Sequence, residues 1–423
     1  MNKLLGGTLG SLFLMALLAA CGGGPGTKVT ATVVNYDGTP GVVTTAAYQV
    51  GGGAWQTLNP DEDGRLVFYV PSGETRYGVA VRCGGLLLLG NYSVNAAAQL
   101  TTAESTAPVL GCMSVGPFAE VSGHIDVSGV TGAAGYEIEG AFGGDSGSTT
   151  ADDYGLDLPL GPDRDLVAFA KNASGQALAA KVVRGIDARA PVALADLALT
   201  DADAVEVRNV GAFTVPGGWN GNYELNLYTA GGATVLDEDL LGSGTETGGA
   251  VYTVKNAQSG DLYQLMISAS AGASGLKVAR FRFVDAPEMG DVVESLSIDP
   301  FLSYAVAAAA HPVFPATHPD EDVQAYMFTT ISPVNVWSYT VSRGWLGNAS
   351  EYATPDLSGL RGFAYTYPLN GEGVSWFAIA LKTNGTAREL FELPRASIFL
   401  FSLPKKAGLV IDAASVRGNF TAP

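Results

Sequence analysis

Apolar and polar residues alternate one by one in short runs along most of this chain. Arg65–Val70, Tyr223–Tyr228 and Val334–Val341 are examples. A period of two places successive side chains on opposite faces of an extended strand, so each run predicts a strand. Stretches rich in Gly, Asp, Ser and Pro separate the runs and favour tight turns. The pattern therefore predicts an all-β chain whose strands pair into packed sheets.

Composition agrees with this fold class and limits the function. Gly contributes 55 of the 423 residues and only 15% are charged, which favours strands and turns over helices. The length suggests about three or four domains. The net charge is −18, and no basic cluster exceeds a pair such as Lys405-Lys406. A nucleic-acid partner is not expected, because phosphate binding needs a basic footprint.

The N-terminus has the three parts of an export signal. Met1–Lys3 is basic, an apolar stretch follows as far as Leu18, and the small residues Ala19-Ala20 come next. The stretch is short and broken by glycines, whereas a membrane-spanning helix needs roughly 20 apolar residues. We therefore predict a cleaved signal peptide over residues 1–20.

Leu18-Ala19-Ala20-Cys21 resembles the bacterial lipobox. The resemblance implies a diacylglycerol on Cys21, which becomes the first residue of a lipidated Gly-rich linker over 21–27. Two or three acyl chains, at about 0.8 kcal/mol per buried methylene, anchor a protein stably in a membrane. Gly22 stands where an Asp often marks inner-membrane retention, so the outer membrane is favoured. An ordinary secretory signal that contains a cysteine is the alternative.

The other two cysteines, Cys83 and Cys112, form an even pair in a chain exported to an oxidising compartment. A disulfide between them is expected. Closing a loop of about 30 residues is worth about 3–4 kcal/mol in the chain-entropy model.

Short motifs repeat in order in the first half. Asp63-Gly64 precedes an aromatic strand, and Pro71-Ser72-Gly73 precedes Tyr77–Val81. This order resembles the carboxypeptidase-regulatory-like (transthyretin-like) β-sandwich family and covers residues 28–115. Val121-Ser122-Gly123 and Leu158–Gly161 repeat it loosely, which implies a second sandwich over 116–200.

Further alternation predicts a third sandwich over 201–290 and an aromatic-rich fourth over 291–423. The predicted fold is therefore a series of tandem immunoglobulin-like or transthyretin-like β-sandwiches after a lipoprotein signal peptide. Leu302–Ala310 is expected to be an alanine-rich strand, with a short helix as the alternative.

Three motifs resemble catalytic or metal sites but lack essential parts. Gly144–Ser148 resembles the surroundings of the nucleophile in trypsin-like serine proteases, but no matching histidine motif exists, so a hairpin loop is expected. Asn59–Gly64 matches half a calcium loop, with Val70 where a bidentate Glu is needed. His311 and His318 flank a proline-broken segment, which we expect to be a solvated loop. No catalytic residue, metal or cofactor is predicted.

The C-terminal segment is rich in aromatic residues, which either stack on sugar rings or fill a sandwich core. Trp345 lies in the loop-like Arg343–Asn348, so we expect it to be exposed and take it as the candidate ligand-binding residue. The set consists of Trp337, Tyr339, Trp345, Tyr352, Phe363, Tyr365, Tyr367 and Trp376.

The sequence thus predicts a lipid-anchored protein of the bacterial cell envelope with a non-catalytic structural or protein-binding role. Its expected partners are the membrane, through the anchor, and an envelope protein. The alternative is a carbohydrate- or peptidoglycan-binding lipoprotein whose aromatic C-terminal segment binds surface polysaccharide. An enzyme of an unrecognised type is the third hypothesis, since sandwiches also carry sites on loops.

Overall fold

The computed structural model describes residues 26–35, 38–84, 93–112, 117–141, 143–272, 275–364, 366–398 and 401–423. Strands hold 51% of the residues and helices 6%, which confirms the all-β class. The signal peptide, Cys21 and most of the linker lie outside the described residues. No helix within the described ranges is long and apolar enough to cross a membrane.

The segment 28–115 contributes two layers. A small sheet of order β4-β1-β7 faces the remaining strands, and buried residues such as Val29, Phe68 and Val79 fill the space between them. The strands are β1 Thr27–Val34, β2 Val42–Val50, β3 Gln56–Leu58, β4 Leu66–Val70, β5 Arg76–Gly84, β6 Ser93–Thr101 and β7 Val109–Gly111.

The segment 116–200 is a sandwich with its own two sheets. One has the order β10-β9-β12-β13, and in the other β8 pairs with β11, β14 and β15. Val121, Ile138 and Leu166 are fully buried between them. The strands are β8 Phe118–Gly129, β9 Gly135–Glu139, β10 Gly144–Gly147, β11 Ala151–Pro159, β12 Arg164–Lys171, β13 Ala177–Ile186, β14 Val192–Ala193 and β15 Leu197–Thr200.

Among its described residues, the segment 201–290 contains seven strands, one short α-helix and the 3-10 turns Asp201–Asp203 and Ala286–Glu288. The elements are β16 Glu206–Val210, β17 Asn220–Tyr228, β18 Thr234–Val235, α1 Glu238–Leu241, β19 Ser243–Thr245, β20 Gly249–Thr253, β21 Leu262–Ser270 and β22 Lys277–Asp285.

The segment 291–423 begins with irregular backbone. Leu302–Ala310 is neither strand nor helix, so the predicted alanine-rich strand is wrong. The elements are β23 Val313–Pro315, β24 Ala325–Ile331, β25 Asn335–Ser342, α2 Arg343–Leu346, β26 Glu351–Ala353, β27 Gly373–Thr383, α3 Ala387–Glu392, β28 Arg395–Ile398, β29 Phe401–Pro404 and β30 Val410–Thr421.

One thirteen-stranded sheet joins three of these segments. Its order is β18-β17-β21-β22-β30-β27-β24-β25-β6-β5-β2-β3, with β19 also on β17. β30 pairs antiparallel with β22, and β25 pairs parallel with β6. The chain is therefore built of β-sandwich layers, as predicted, but the layers of the first, third and fourth segments share this sheet. The domain borders stay predictions.

Both faces of the large sheet carry packed side chains. We call front the face that bears Met266, Phe281 and Leu381, which belong to a cluster shared with the first segment. The back face bears Val278 and Trp337 and packs against irregular backbone of the fourth segment. Where both faces are covered, the strands of the sheet are buried on both sides.

Cys83 and Cys112 form a disulfide, with their Cα atoms 6.0 Å apart, which confirms the predicted pair. Cys83 belongs to β5 of the large sheet, and Cys112 directly follows β7 of the small one. The bond therefore ties the two layers of the first segment together.

Candidate functional site

A groove with a volume of about 490 Å³ lies on the front face of the large sheet. Strands β17, β21, β22, β30 and β27 form its floor, and Leu403 of β29 stands at its side. Ligand sites in proteins usually measure about 300–1,000 Å³ and are mostly apolar. This groove therefore has the size of a small-molecule site.

Strand register explains why the sheet is hollow here. Ala279 lies directly opposite Ala413, which in turn lies opposite Leu381, so two methyl side chains occupy the middle of the floor. Larger side chains stand in the neighbouring rows, where Met266 lies opposite Phe281. Small residues flanked by large ones leave a depression in the sheet surface. The apolar lining consists of Met266, Leu276, Ala279, Phe281, Phe377, Ile379, Leu381, Leu403, Ala413 and Val416.

Charged side chains stand at the two ends of the groove. Lys277 lies opposite Ser415, and Arg417 follows on the same face of β30, so two cations share one end. Glu224 lies opposite Met266, at the other end. Among the described residues, none of the three forms an ion pair within 4.0 Å.

Burial shifts the titration of two of these groups. It raises the pKa of the Glu224 carboxyl, an effect that the charge of Lys277 opposes. It lowers the pKa of the Lys277 ammonium, and here the charge of Glu224 acts in the opposite direction. Both charged forms therefore lose solvation, and the attraction between the two side chains offsets part of that loss.

A row of amides continues from the groove along β17 and β21. The Asn226 amide donates to Gln264 Oε1 at 3.0 Å, and the Tyr228 hydroxyl donates to the same oxygen at 3.3 Å. Gln264 is fully buried, and its Nε2 has no hydrogen-bond partner among the described residues. Sequence reasoning missed this groove, because nothing in the alternation of β21 or β22 distinguishes a groove floor from an ordinary buried face.

Trp345 is not exposed, so that expectation is wrong. It lies in α2, is partly buried and packs against the back-face cluster. The Arg76 guanidinium lies 5.7 Å from the centre of its ring. The Arg76 guanidinium and the side chains of this cluster therefore already contact the indole ring on which a sugar would stack. The ligand-binding role of Trp345 stays a prediction.

The other described aromatics of the fourth segment fill the core instead of a sheet surface. Trp337 is 1% exposed, stacks on Tyr339 with ring centres 5.2 Å apart, and donates from Nε1 to the carbonyl of Thr366. Trp376, Tyr352, Phe363 and Tyr367 are also buried. Tyr365 lies outside the described residues.

The histidines have separate local partners. His124 Nδ1 lies 2.9 Å from Asp153, and His311 Nε2 lies 3.5 Å from Asp356. His318 packs its ring against Phe301, and burial lowers its pKa. Within the described ranges, no group of three or more His, Cys, Asp and Glu side chains is placed to hold a metal ion.

The segment between His311 and His318 is not a solvated loop, which corrects that expectation. It contains β23, which pairs with β26, and Phe314 in its middle is fully buried against Phe328 with ring centres 4.7 Å apart. The prolines that suggested a loop stand at its edges, where a short strand tolerates them.

The two remaining motifs are structural. Gly144–Gly147 forms the edge strand β10 against β9, not the expected hairpin loop, and the Asp145 carboxylate accepts from the N–H of Gly155 at 3.0 Å. Asn59–Gly64 ends in a turn in which Asp61 Oδ1 accepts from the N–H groups of Asp63 and Arg65. Gly64 has φ of 75°, a conformation that favours glycine.

The fold and groove together define an all-β protein of packed sandwiches with one amphipathic groove as its candidate site. No protein-family model matches the chain, and no curated protein matches it in sequence. Some solved structures resemble parts of it weakly.

The Bacillus anthracis TIE protein is 12% identical to this chain with a TM-score of 0.16. The match covers 64% of this chain and 51% of the TIE protein, so this chain spans about half of that structure. Two B repeat units of the collagen-binding protein CNA of Staphylococcus aureus are 10% identical with a TM-score of 0.16, covering 63% of this chain and 74% of theirs. Bacteroides ovatus SGBP-B, in complex with a mixed-linkage heptasaccharide, is 11% identical with a TM-score of 0.13. The match covers 91% of this chain and 94% of that one. Similarity at this level does not bear on what this chain binds.

Proposed function

We propose that this chain is an exported lipoprotein, held on the bacterial cell envelope through Cys21, with a non-catalytic structural or protein-binding role. The lipobox resemblance supports the anchor and the export. The disulfide between Cys83 and Cys112 agrees with this address, since such bonds persist in oxidising compartments. The outer membrane is the proposed site of attachment.

The shared thirteen-stranded sheet is the observation that carries the scaffold role. β6 and β25 lie far apart in sequence and yet pair over seven residues, so the first and fourth segments hold each other in place. Arg184 of the second segment lies 2.6 Å from Asp261 of the third, which adds a buried tie between those two. A scaffold with fixed parts suits a protein that must present a binding surface away from a membrane.

The edges of the large sheet supply such a surface. β3 forms one edge, and its three residues are exposed or half-buried. An unpaired edge strand can accept an extended segment of a partner through main-chain hydrogen bonds. We therefore propose an envelope protein as the partner. The buried positions of Trp337 and Trp376 do not favour the alternative of polysaccharide binding through the aromatic segment.

Metabolic labelling with palmitate tests the anchor. The wild-type chain should carry the label and sediment with membranes, whereas Cys21→Ala should lose the label and appear in the soluble exported fraction. The double variant Cys83→Ala/Cys112→Ala is the control, because it removes two cysteines but keeps the lipobox. Label retained by Cys21→Ala would refute the anchor.

Crosslinking in intact cells, followed by purification and mass spectrometry, tests the partner. A stoichiometric envelope protein crosslinked near Gln56–Leu58 is the expected result. Recovery of polysaccharide with no protein partner would contradict the protein-binding role.

A further inference from the structure

The groove on the front face combines an apolar floor with charges confined to its ends. Met266, Phe281 and Ile379 are buried side chains of the floor. Ala279 and Ala413 lie in its middle, where their small side chains leave a depression. This floor offers mainly methyl, methylene and aromatic surface, and its uncharged polar side chains are Asn222, Ser270 and Ser415. The Asn222 carbonyl already accepts from Ser268, and the Ser415 hydroxyl already donates to the carbonyl of Lys277. A sugar or an extended peptide backbone would leave polar groups unpaired against it, which is costly. The floor therefore suits a hydrocarbon chain.

The two cations mark the end at which a charged group of such a ligand would sit. Lys277 and Arg417 stand in neighbouring rows on adjacent strands of the same face. They form a local positive site in a chain whose net charge is −18. Lys277 is half-buried, and no carboxylate of the described residues lies within ion-pair distance of it. An incoming anion would replace the solvation that this ammonium has lost.

The spacing of the rows sets the length of the apolar part. Lys277 lies in the row of Ser270, and Glu224 lies in the row of Met266. Four residues of β21 separate these rows, which corresponds to about 13 Å at roughly 3.3 Å per residue. The carboxyl of Glu224, for which burial favours the neutral form, ends the apolar track.

We propose that this groove binds a single-chain amphiphile with an anionic headgroup, a carboxylate or a phosphate monoester. The headgroup pairs with Lys277 and Arg417, and the alkyl chain runs over Ala279 and Ala413 towards Met266 and Phe281. Affinity rises with chain length, by about fourfold per buried methylene, until the chain reaches Glu224. This site depends neither on the lipid anchor nor on an envelope partner.

Calorimetric titration of the exported chain carrying Cys21→Ser tests the site, because this variant has no lipid of its own. The probes are dodecanoate and dodecyl phosphate, with dodecyltrimethylammonium as the cationic control, all below their micellar concentrations. Both anions should bind saturably, one per chain, and the tighter of the two identifies the preferred headgroup. The cation should bind at least tenfold more weakly. Equal binding of anions and cation, or no saturable binding of any probe, would overturn the proposal.

Two variants locate the site. Lys277→Met keeps the length of the side chain, removes its charge, and should weaken dodecanoate binding at least tenfold. Lys28→Met, at an exposed position of β1 outside the groove, is its matched control and should bind like the parent chain. Ser415→Phe should block the groove while leaving the melting temperature within a few degrees, since Ser415 is only half-buried. Unchanged binding in both Lys277→Met and Ser415→Phe would show that the amphiphile binds elsewhere.

Discussion

Glu139 on β9 lies near the contact of the second segment with the third. Burial, the side-chain hydrogen bond with Glu137, and the charges of Glu137 and Asp237 raise the pKa of Glu139 to about 8. Lys171 opposes this shift and donates to Glu137 at 2.7 Å. Folding therefore favours the protonated form of Glu139, whereas the unfolded chain titrates near 4.5.

The raised pKa of Glu139 makes the stability of the folded chain depend on pH. The contribution of Glu139 to stability is fully present below pH 4.5 and is lost as the pH rises through about 8. Glu139→Gln should remove this dependence and stabilise the chain at alkaline pH by about 1–2 kcal/mol after solvent screening. Urea unfolding across this range measures it, with the exposed Glu120→Gln as control. Parallel pH profiles for Glu139→Gln and the parent chain would contradict the prediction.

Arg184 pairs with two buried carboxylates that belong to different segments. Its guanidinium lies 2.6 Å from Asp261 and 3.3 Å from Asp165, and Asp261 also accepts from the N–H groups of Ala230 and Gln258. Arg184→Met should destabilise the chain by about 3–5 kcal/mol, because it leaves buried charges without their cation. Arg189→Met, which breaks the exposed pair with Asp187, should cost less than about 1 kcal/mol. Chemical denaturation measures both, and equal losses would be inconsistent with this account.

At the scale of elements, Glu104 connects the end of β6 to the start of α2. Its carboxylate accepts from Thr101 N–H at 2.9 Å, from the Ser342 hydroxyl, and from Gly344 N–H at 2.9 Å. Glu104→Ala should cost about 1–3 kcal/mol, since it leaves these donors without their acceptor. The amide of Gly344 should then exchange its hydrogen faster. Glu62→Ala, at an exposed turn position, is the control, and unchanged exchange at Gly344 would disprove the connection.

Whether a run of residues forms a strand in this chain depends on the strand beside it as well as on its own alternation. Alternation located β17, β25 and β27 because each has polar and apolar or small and large residues on opposite faces. Gly144–Gly147 was expected to be a loop because its residues have no apolar alternation, yet an edge strand needs only backbone pairing with β9. Leu302–Ala310 was expected to be a strand, but the structure places it as irregular backbone, with Tyr304 and Val306 packed on the back face.

The candidate site could not be predicted from the sequence for a related reason. Alternation shows which face of a strand is buried but not which strand lies beside it. The groove depends on Ala279 lying opposite Ala413, two residues that are far apart in the sequence. The predicted exposure of Trp345 is wrong because Gly344 and Gly347 suggested a loop. A short helix forms there instead, and Ser342 caps it by accepting from the Trp345 N–H at 3.0 Å.

At the scale of the whole molecule, the shared sheet makes a prediction about cooperativity. The five tryptophans are Trp55, Trp219, Trp337, Trp345 and Trp376, and none lies in the second segment. They therefore report on the first, third and fourth segments, whose strands are joined in one sheet. If these segments unfold as one unit, a change confined to the first should shift the whole fluorescence transition.

The disulfide provides that local change. Cys83→Ala/Cys112→Ala opens the link between β5 and the segment after β7, and should lower stability by about 3–4 kcal/mol through the unfolded state. Since β6 pairs with β25 and β22 with β30, this loss should spread over the sheet and move a single tryptophan transition to lower denaturant. Independent tandem domains would instead give separate transitions, of which only the one reported by Trp55 moves. The number of transitions in the denaturation curve thus distinguishes one cooperative sheet from separate tandem sandwiches. The parent chain and the double variant differ only in the disulfide, so any shift is due to its loss.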